Sequence, residues 1–186
     1  MPSTRTAIPT AAQARADLRR EWRRVTRILG GTLLLLWAIL LVDAIVFRGQ
    51  LRQYGIRPRT LVGLRGVLFA PFLHVGILHL LANSLSFLIL GALVLFREVR
   101  WFWIVSAIGA VVGGLGTWMF GGNTIHIGFS GVLFAYFGYL LLAGVFERRL
   151  GSIVLSTFVA LMLGAMLFGV LPGQPGISWE SHLFGF

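Results

Sequence analysis

The chain has 186 residues, of which 57% are hydrophobic and only 12% are charged, and its mean hydropathy is +0.86. This composition excludes a water-soluble globular domain and favours a polytopic membrane protein. All sixteen basic residues are arginines and lie between the apolar runs, so membrane topology explains the net charge of +10 better than nucleic-acid binding does. The absence of cysteine excludes a disulfide, a thiolate zinc site and a cysteine nucleophile.

The N-terminal segment, residues 1–27, is strongly basic, with seven arginines opposed only by Asp17 and Glu21. It predicts a flexible tail that passes into a short basic helix at the membrane surface. The apolar run at 28–47 is about 20 residues long, whereas the core of a cleaved signal peptide has about 7–15. We therefore interpret it as a retained first span.

Residues 48–71 mix five arginines with glycine, proline and isolated apolar residues, which predicts a segment lying in the membrane interface. The predicted spans that follow lie at about 73–96, 101–120, 129–146 and 152–171, with a sixth at 179–186. A bilayer core requires about 20 residues, so the sixth span is incomplete and the sequence is expected to be a truncated form of a longer protein. The predicted fold is an all-α polytopic bundle over residues 28–186.

The arginines also predict the orientation. With the N-terminus in the cytoplasm, seven, two and two arginines lie on the inner side, and none lies in the loops at 121–128 and 172–178. Only the interfacial first loop, with its five arginines, departs from this rule. The chain is thus expected to be a multi-pass protein of the cell membrane.

Three polar side chains stand out within the apolar spans. His79 and Asn83 are four residues apart and would share one helix face. Polar groups at that depth are costly without a partner or a cavity, so they indicate either a functional site or hydrogen bonds between helices. Ser130, which opens the fourth span, could by itself merely bond a carbonyl one turn back.

The sixth span begins with a possible base for this serine. A neutral His182 can accept a proton from a serine hydroxyl, and Gly185 lets a neighbouring helix approach closely. Small residues at helical spacing in the fourth span, Gly131, Ala135 and Gly138, leave a smooth face for that neighbour. We therefore expect Ser130 and His182 to meet at the outer end of a tight helix contact.

Three separated motifs together resemble the rhomboid family of intramembrane serine proteases. They are Gly-x-Ser-Gly at 128–131, His-x4-His-x3-Asn at His74, His79 and Asn83, and His-x2-Gly at His182 and Gly185. The resemblance covers about residues 28–186 and implies a rhomboid-like six-helix fold, with Ser130 as nucleophile and His182 as its base. It further implies that His79 and Asn83 hold the oxyanion and that His74 supports the structure and hydration of the site. Gly128 and Gly131 belong to the first motif.

The surrounding residues predict a dyad, because no acid is placed to orient the base. Glu180 is two residues from His182 and points to another helix face, and Asp43 lies in the first span as an interfacial or structural carboxylate. Phe134, one turn after Ser130, would either stack on His182 or pack against core or lipid. His126 is interpreted as a loop histidine.

The leading functional hypothesis is therefore a serine endopeptidase that cuts single-span membrane proteins near the outer leaflet, with no metal or other cofactor. An inactive rhomboid-like protein that binds membrane helices is the alternative. A transporter or metal site built on His74, His79 and His182 is disfavoured by the few acids, the lack of thiols and the lack of an inverted repeat. Oligomeric state and physiological substrate are not indicated.

Overall fold

The computed structural model describes residues 10–174 and 176–186. Within them the backbone is helical, without a strand, and a single antiparallel bridge joins Ile56 to His126. The α-helices are α1 (Ala11–Ile45), α2 (Gly66–Phe69), α3 (Ile77–Arg97), α4 (Val99–Phe120), α5 (Ser130–Glu147), α6 (Leu150–Leu163) and α7 (Trp179–Gly185). Short 3-10 helices cover Gln50–Tyr54, Val62–Arg65, Ala70–Phe72 and Gly164–Val170.

By length and composition, five helical segments of the described chain are able to cross a membrane. They are Ala11–Ile45, Ile77–Arg97, Val99–Phe120, Ser130–Glu147 and Leu150–Val170. The prediction of an all-α polytopic membrane protein is thereby confirmed.

The basic N-terminal segment and the first span form one continuous helix of 35 residues rather than a short surface helix followed by a separate span. The helix begins where Thr10 and Gln13 form a capping box, in which each side chain accepts from the backbone N–H of the other. It continues into the apolar run because residues 11–45 contain no proline. Any tail at residues 1–9 lies outside the described residues.

Two other predicted spans differ from the structure at one end. The second predicted span corresponds to α3, which begins at Ile77 and not at residue 73. Gly76 has an extended backbone, and Pro71 lies in the preceding 3-10 turn. His74 consequently lies outside the helix that carries His79 and Asn83. The fifth span changes at Gly164 from an α-helix into the 3-10 helix Gly164–Val170.

Helix α5 lies at the centre of the bundle and contacts α3, α4, α6 and α7. Its side chains Tyr136, Phe137 and Leu140 are fully buried. A helix that is apolar on all sides suits this position, since every face meets another helix. The residue at its N-terminus, Ser130, is thus held by the most enclosed element of the fold.

Small residues set the distances between α4, α5 and α7. Gly109 of α4 packs on Ala135 of α5, and Gly113 lies against the backbone of Gly185 in α7. A Cβ on Gly185 would overlap the carbonyl of Gly131, so α7 can approach α5 only with glycine at this position.

The first loop lies at the same end of the bundle as the start of α5. The Ile56–His126 bridge joins it to the loop before α5. The Arg59 guanidinium adds bonds of 2.8 Å to the Gly121 carbonyl and 2.6 Å to the Asn123 Oδ1. The first loop is therefore fixed over the end of the bundle where the candidate site lies.

Candidate active site

Ser130 is the first residue of α5 and lies two residues after Gly128, a glycine that the local geometry requires. Gly128 has φ +132°, a region that favours glycine, and a Cβ there would lie 2.8 Å from Cε1 of His79. Its N–H donates to the Ala70 carbonyl at 2.9 Å. The glycine therefore lets the chain turn into α5 while the His79 ring stays beside it. As the first residue of the helix, Ser130 also has a backbone N–H with no intrahelical acceptor.

The structure brings His182 of α7 to Ser130 across the helix contact. The Nε2 atom of His182 is 2.8 Å from the Ser130 Oγ, and its Nδ1 is 2.9 Å from the carbonyl oxygen of Gly169. A carbonyl can only accept, so Nδ1 carries the proton and Nε2 is left as the acceptor for the serine hydroxyl. This tautomer is the one that a general base requires.

Phe134 and Gly169 hold the imidazole of His182 in position. The Phe134 ring stacks on it with centroids 4.1 Å apart and an interplanar angle of 11°. Of the two expected positions of Phe134, the stacked one is observed. A Cβ on Gly169 would lie 2.9 Å from Cζ of Phe134 and 3.1 Å from Nδ1 of His182. The ring therefore occupies a slot that fits only when residue 169 has no side chain.

Asn83 and His79 lie on the other side of the turn that leads to Ser130. A Cβ on Gly128 would lie 3.8 Å from Nδ2 of Asn83 and 2.9 Å from Nε2 of His79. In the part of the chain that the structure describes, Asn83 Nδ2 is buried and has no hydrogen-bond partner. An unpaired buried donor costs free energy, typically about 1–3 kcal/mol, so this amide next to the Gly128 turn is a donor that an incoming acceptor would satisfy.

His74 lies in the stretch before α3 and contacts the turn that leads to Ser130. Its Nε2 accepts a long bond, 3.4 Å, from the N–H of Phe129, and its ring meets that of His79 edge to face at 5.1 Å. Burial, helped by the neighbouring His79, lowers the pKa of His74 to about 4, so the ring is neutral near pH 7. Within residues 10–174 and 176–186 its Nδ1 is buried without a partner.

The acidic residues considered as orienters are engaged elsewhere. Glu180 accepts from the N–H of Gly122 at 3.1 Å, and Asp43 accepts from the N–H of Leu51 at 2.9 Å. His126 is a buried loop histidine whose Nδ1 is 2.7 Å from the Ser178 Oγ. The group that orients His182 is thus a backbone carbonyl.

Sequence reasoning missed Gly169. Every residue has a backbone carbonyl, so the residue type does not show which carbonyl will accept a hydrogen bond. The available sequence signal was a glycine inside the apolar run of the fifth span. The change from α to 3-10 geometry at Gly164, which precedes this carbonyl, had no evident sequence signal either.

These features define a class of protein: a helical membrane bundle with a serine and a histidine in hydrogen-bond contact, close to an amide donor that none of the described residues pairs. The sequence profile of the Rhomboid domain matches residues 61–186. The chain belongs to the rhomboid family, which confirms the resemblance seen in the three motifs.

Relatives of similar sequence are found in several bacteria. An uncharacterized protein of Mycobacterium tuberculosis is 37% identical over 99% of this chain and 79% of its own length. An uncharacterized protein of Mycobacterium leprae is 36% identical over 88% of this chain and 70% of its own length. A Bacillus subtilis protein named "Putative rhomboid protease YdcA" is 33% identical over 61% of this chain and 57% of its own length.

Proposed function

We propose that this chain is an intramembrane serine endopeptidase that uses Ser130 and His182 as a catalytic dyad. The observation that carries the proposal is the 2.8 Å contact between His182 Nε2 and Ser130 Oγ, with Nδ1 bonded to the Gly169 carbonyl. A serine hydroxyl is a weak nucleophile until a base removes its proton, and this contact supplies the base in the required tautomer.

The proposed reaction has two halves. Ser130 Oγ attacks the scissile carbonyl while His182 Nε2 takes the hydroxyl proton, and the protonated ring then donates it to the leaving amine, which gives an acyl-enzyme. Water, deprotonated by the same nitrogen, attacks the ester, and the proton returns to Ser130 as the new carboxyl end leaves. The Gly169 carbonyl keeps the imidazole oriented in both halves and accepts a stronger bond when the ring is charged.

The negative oxygen of each tetrahedral intermediate needs donors in a site shielded from bulk water. The Ser130 N–H, Asn83 Nδ2 and His79 are the proposed donors. The unpaired state of Asn83 Nδ2 among the described residues supports this role, because the amide is already placed and desolvated before an acceptor arrives.

Rhomboid membrane proteins act on transmembrane substrates within the bilayer. For this chain we propose single-span proteins, cut near the outer leaflet, with the N-terminus of the enzyme in the cytoplasm. A peptide bond inside a helix has its carbonyl bonded and its face covered, so segments that unwind readily are the expected substrates.

A serine-reactive fluorophosphonate tests the nucleophile directly. We expect the probe to label the detergent-solubilised protein and to miss the Ser130→Ala variant, while Ser86→Ala, a half-buried serine of α3, is labelled like the wild type. Equal labelling of Ser130→Ala would refute the assignment. Labelling without cleavage of any model transmembrane substrate would favour the alternative, a rhomboid protein that binds helices without cutting them.

The slot at Gly169 gives a further prediction. Gly169→Ala should lower turnover of a model transmembrane substrate by about 10- to 100-fold, because the added methyl group displaces the imidazole from Ser130. Turnover per folded molecule, after size-exclusion chromatography, is the measurement.

The matched control is Gly164→Ala in the same 3-10 helix, where a Cβ would meet nothing within 4 Å. It should retain wild-type turnover. The same loss in both variants would mean that the 3-10 segment, not the slot, is what the substitution disturbs.

A further inference from the structure

The first loop carries four exposed arginines that form no ion pair with a carboxylate among the described residues. They are Arg48, Arg52, Arg57 and Arg65, whereas Arg59 is bonded to the loop before α5. Arg52 and Arg65 each donate one bond to a carbonyl of their own loop, Gly49 O at 2.8 Å and Gln53 O at 3.2 Å, and a carbonyl does not neutralise their charge. Across the described residues, the ion pair present is between Arg97 and Glu147 in another part of the chain. Both carboxylates at the site's end of the bundle, Asp43 and Glu180, are buried and bonded to backbone N–H groups, so they leave these arginines uncompensated.

An open apolar groove lies between α1 and this loop. Its volume is about 720 Å³, within the range of about 300–1,000 Å³ typical of ligand sites. Its walls include Leu35 and Ile39 of α1, Leu51 and Tyr54 of the first 3-10 helix, and Phe69 and Phe72 beyond it. None of the groove residues belongs to the candidate active site.

The arginines and the groove meet at Tyr54. The guanidinium carbon of Arg65 lies 4.4 Å from the centroid of the Tyr54 ring, and Tyr54 packs edge to face on Phe69 at 6.3 Å. Arg52 directly follows the groove residue Leu51. The Arg65 guanidinium therefore stands at the rim of the apolar groove, and Arg52 belongs to the 3-10 helix that forms one of its walls. Aromatic and basic residues of this kind are typical of the lipid–water interface.

We propose that this groove binds a phospholipid with an anionic headgroup, taken from the surrounding bilayer. One acyl chain lies along the groove, and the phosphate is bound by Arg65 and Arg52. An arginine fork binds phosphate oxygens in a bidentate manner, and clusters of arginine beside a membrane helix attract anionic lipids. Two of the five arginines of the first loop, which depart from the topology rule, then bind lipid rather than act as a topology signal.

Native mass spectrometry of the detergent-purified full chain tests the selectivity. The protein is mixed with equal amounts of phosphatidylglycerol and phosphatidylcholine of the same chain length. Wild type should retain phosphatidylglycerol at least about fivefold more than phosphatidylcholine. This ratio corresponds to the attraction of about one arginine for an anionic lipid. Equal retention of the two lipids would overturn the proposal.

Variants locate the site. The double variant Arg52→Gln/Arg65→Gln should lose the preference for phosphatidylglycerol, while Arg52→Lys/Arg65→Lys should keep most of it. The comparison separates the effect of lost charge from that of a misfolded loop. The matched control, Arg148→Gln/Arg149→Gln, removes two exposed arginines between α5 and α6 and should behave as wild type. A loss in the control equal to that in the first variant would assign the preference to net charge and contradict the site.

A final experiment tests the groove itself. Ile39→Trp fills the groove without changing an arginine and should reduce bound phosphatidylglycerol. Size-exclusion chromatography reports whether the variant is folded. Soluble glycerol phosphate, at the same concentration as the lipid, should not displace it, because it has no acyl chain. Displacement by glycerol phosphate, or wild-type binding by Ile39→Trp, would contradict a role for the groove.

Discussion

Replacing His182 by alanine or glutamine should reduce cleavage of a model transmembrane substrate by at least about 10³-fold, because Ser130 then has no base within reach. Glutamine is the more informative replacement, since its amide can still bond to Ser130 and to the Gly169 carbonyl but does not accept a proton at neutral pH. Turnover in proteoliposomes, with the amount of folded enzyme measured separately, gives the comparison. Labelling by a fluorophosphonate should fall in parallel, since the probe also needs an activated serine.

Leu183→Ala is the control for this prediction. Leu183 is the next residue of α7 and is 44% exposed, so its truncation changes the same helix without touching the dyad. It should leave turnover within a few fold of wild type. Cleavage by His182→Gln at more than about a tenth of the wild-type rate would mean that another group removes the serine proton.

Asn83→Ala should lower kcat by about 10²- to 10³-fold, the usual cost of removing one oxyanion donor, and should change KM little. The thermal stability should not fall, because the variant removes a buried amide nitrogen that has no partner in residues 10–174 and 176–186. Steady-state kinetics and a thermal unfolding curve are measured on the same preparation.

This pair of measurements separates the two interpretations that the sequence leaves open for Asn83. If the amide served as a hydrogen bond between helices, its loss would lower stability and affect kcat only through the folded fraction. Ser86→Ala, a polar truncation three residues further along α3, controls for changes to the helix itself. A stability loss in Asn83→Ala without a loss of kcat would refute the oxyanion role.

The sequence predicted the architecture well where a physical rule connects residue type to position. Apolar runs and their arginine borders gave the spanning segments, since crossing the bilayer leaves few alternatives to a helix. Gly185 and the small residues of the fourth span predicted the close contact of α5 and α7, because only small side chains permit it.

Prediction was poorer where backbone conformation decides the outcome. The late start of α3 leaves His74 before the helix, although apolar residues alone favoured a span from residue 73; Pro71 and Gly76 were the signals that the hydrophobic run outweighed. Likewise, composition separates the basic segment from the first span, although residues 11–45 contain no proline and form one helix. The stacking of Phe134 on His182 depends on a contact between distant segments, so neighbouring residues alone left two possibilities.

The acceptor that orients His182 belongs to the main chain, and this has a consequence for how such a site is encoded. Every amino acid supplies the same carbonyl, so no side-chain substitution removes this acceptor, and Gly169→Ala tests only the space beside the ring. The amino-acid sequence needs to specify only the space for the His182 ring, and a glycine at residue 169 provides it. In the proposed dyad, the orienting place that an acid side chain takes in a catalytic triad is thus taken by a backbone carbonyl, which the residue type does not reveal.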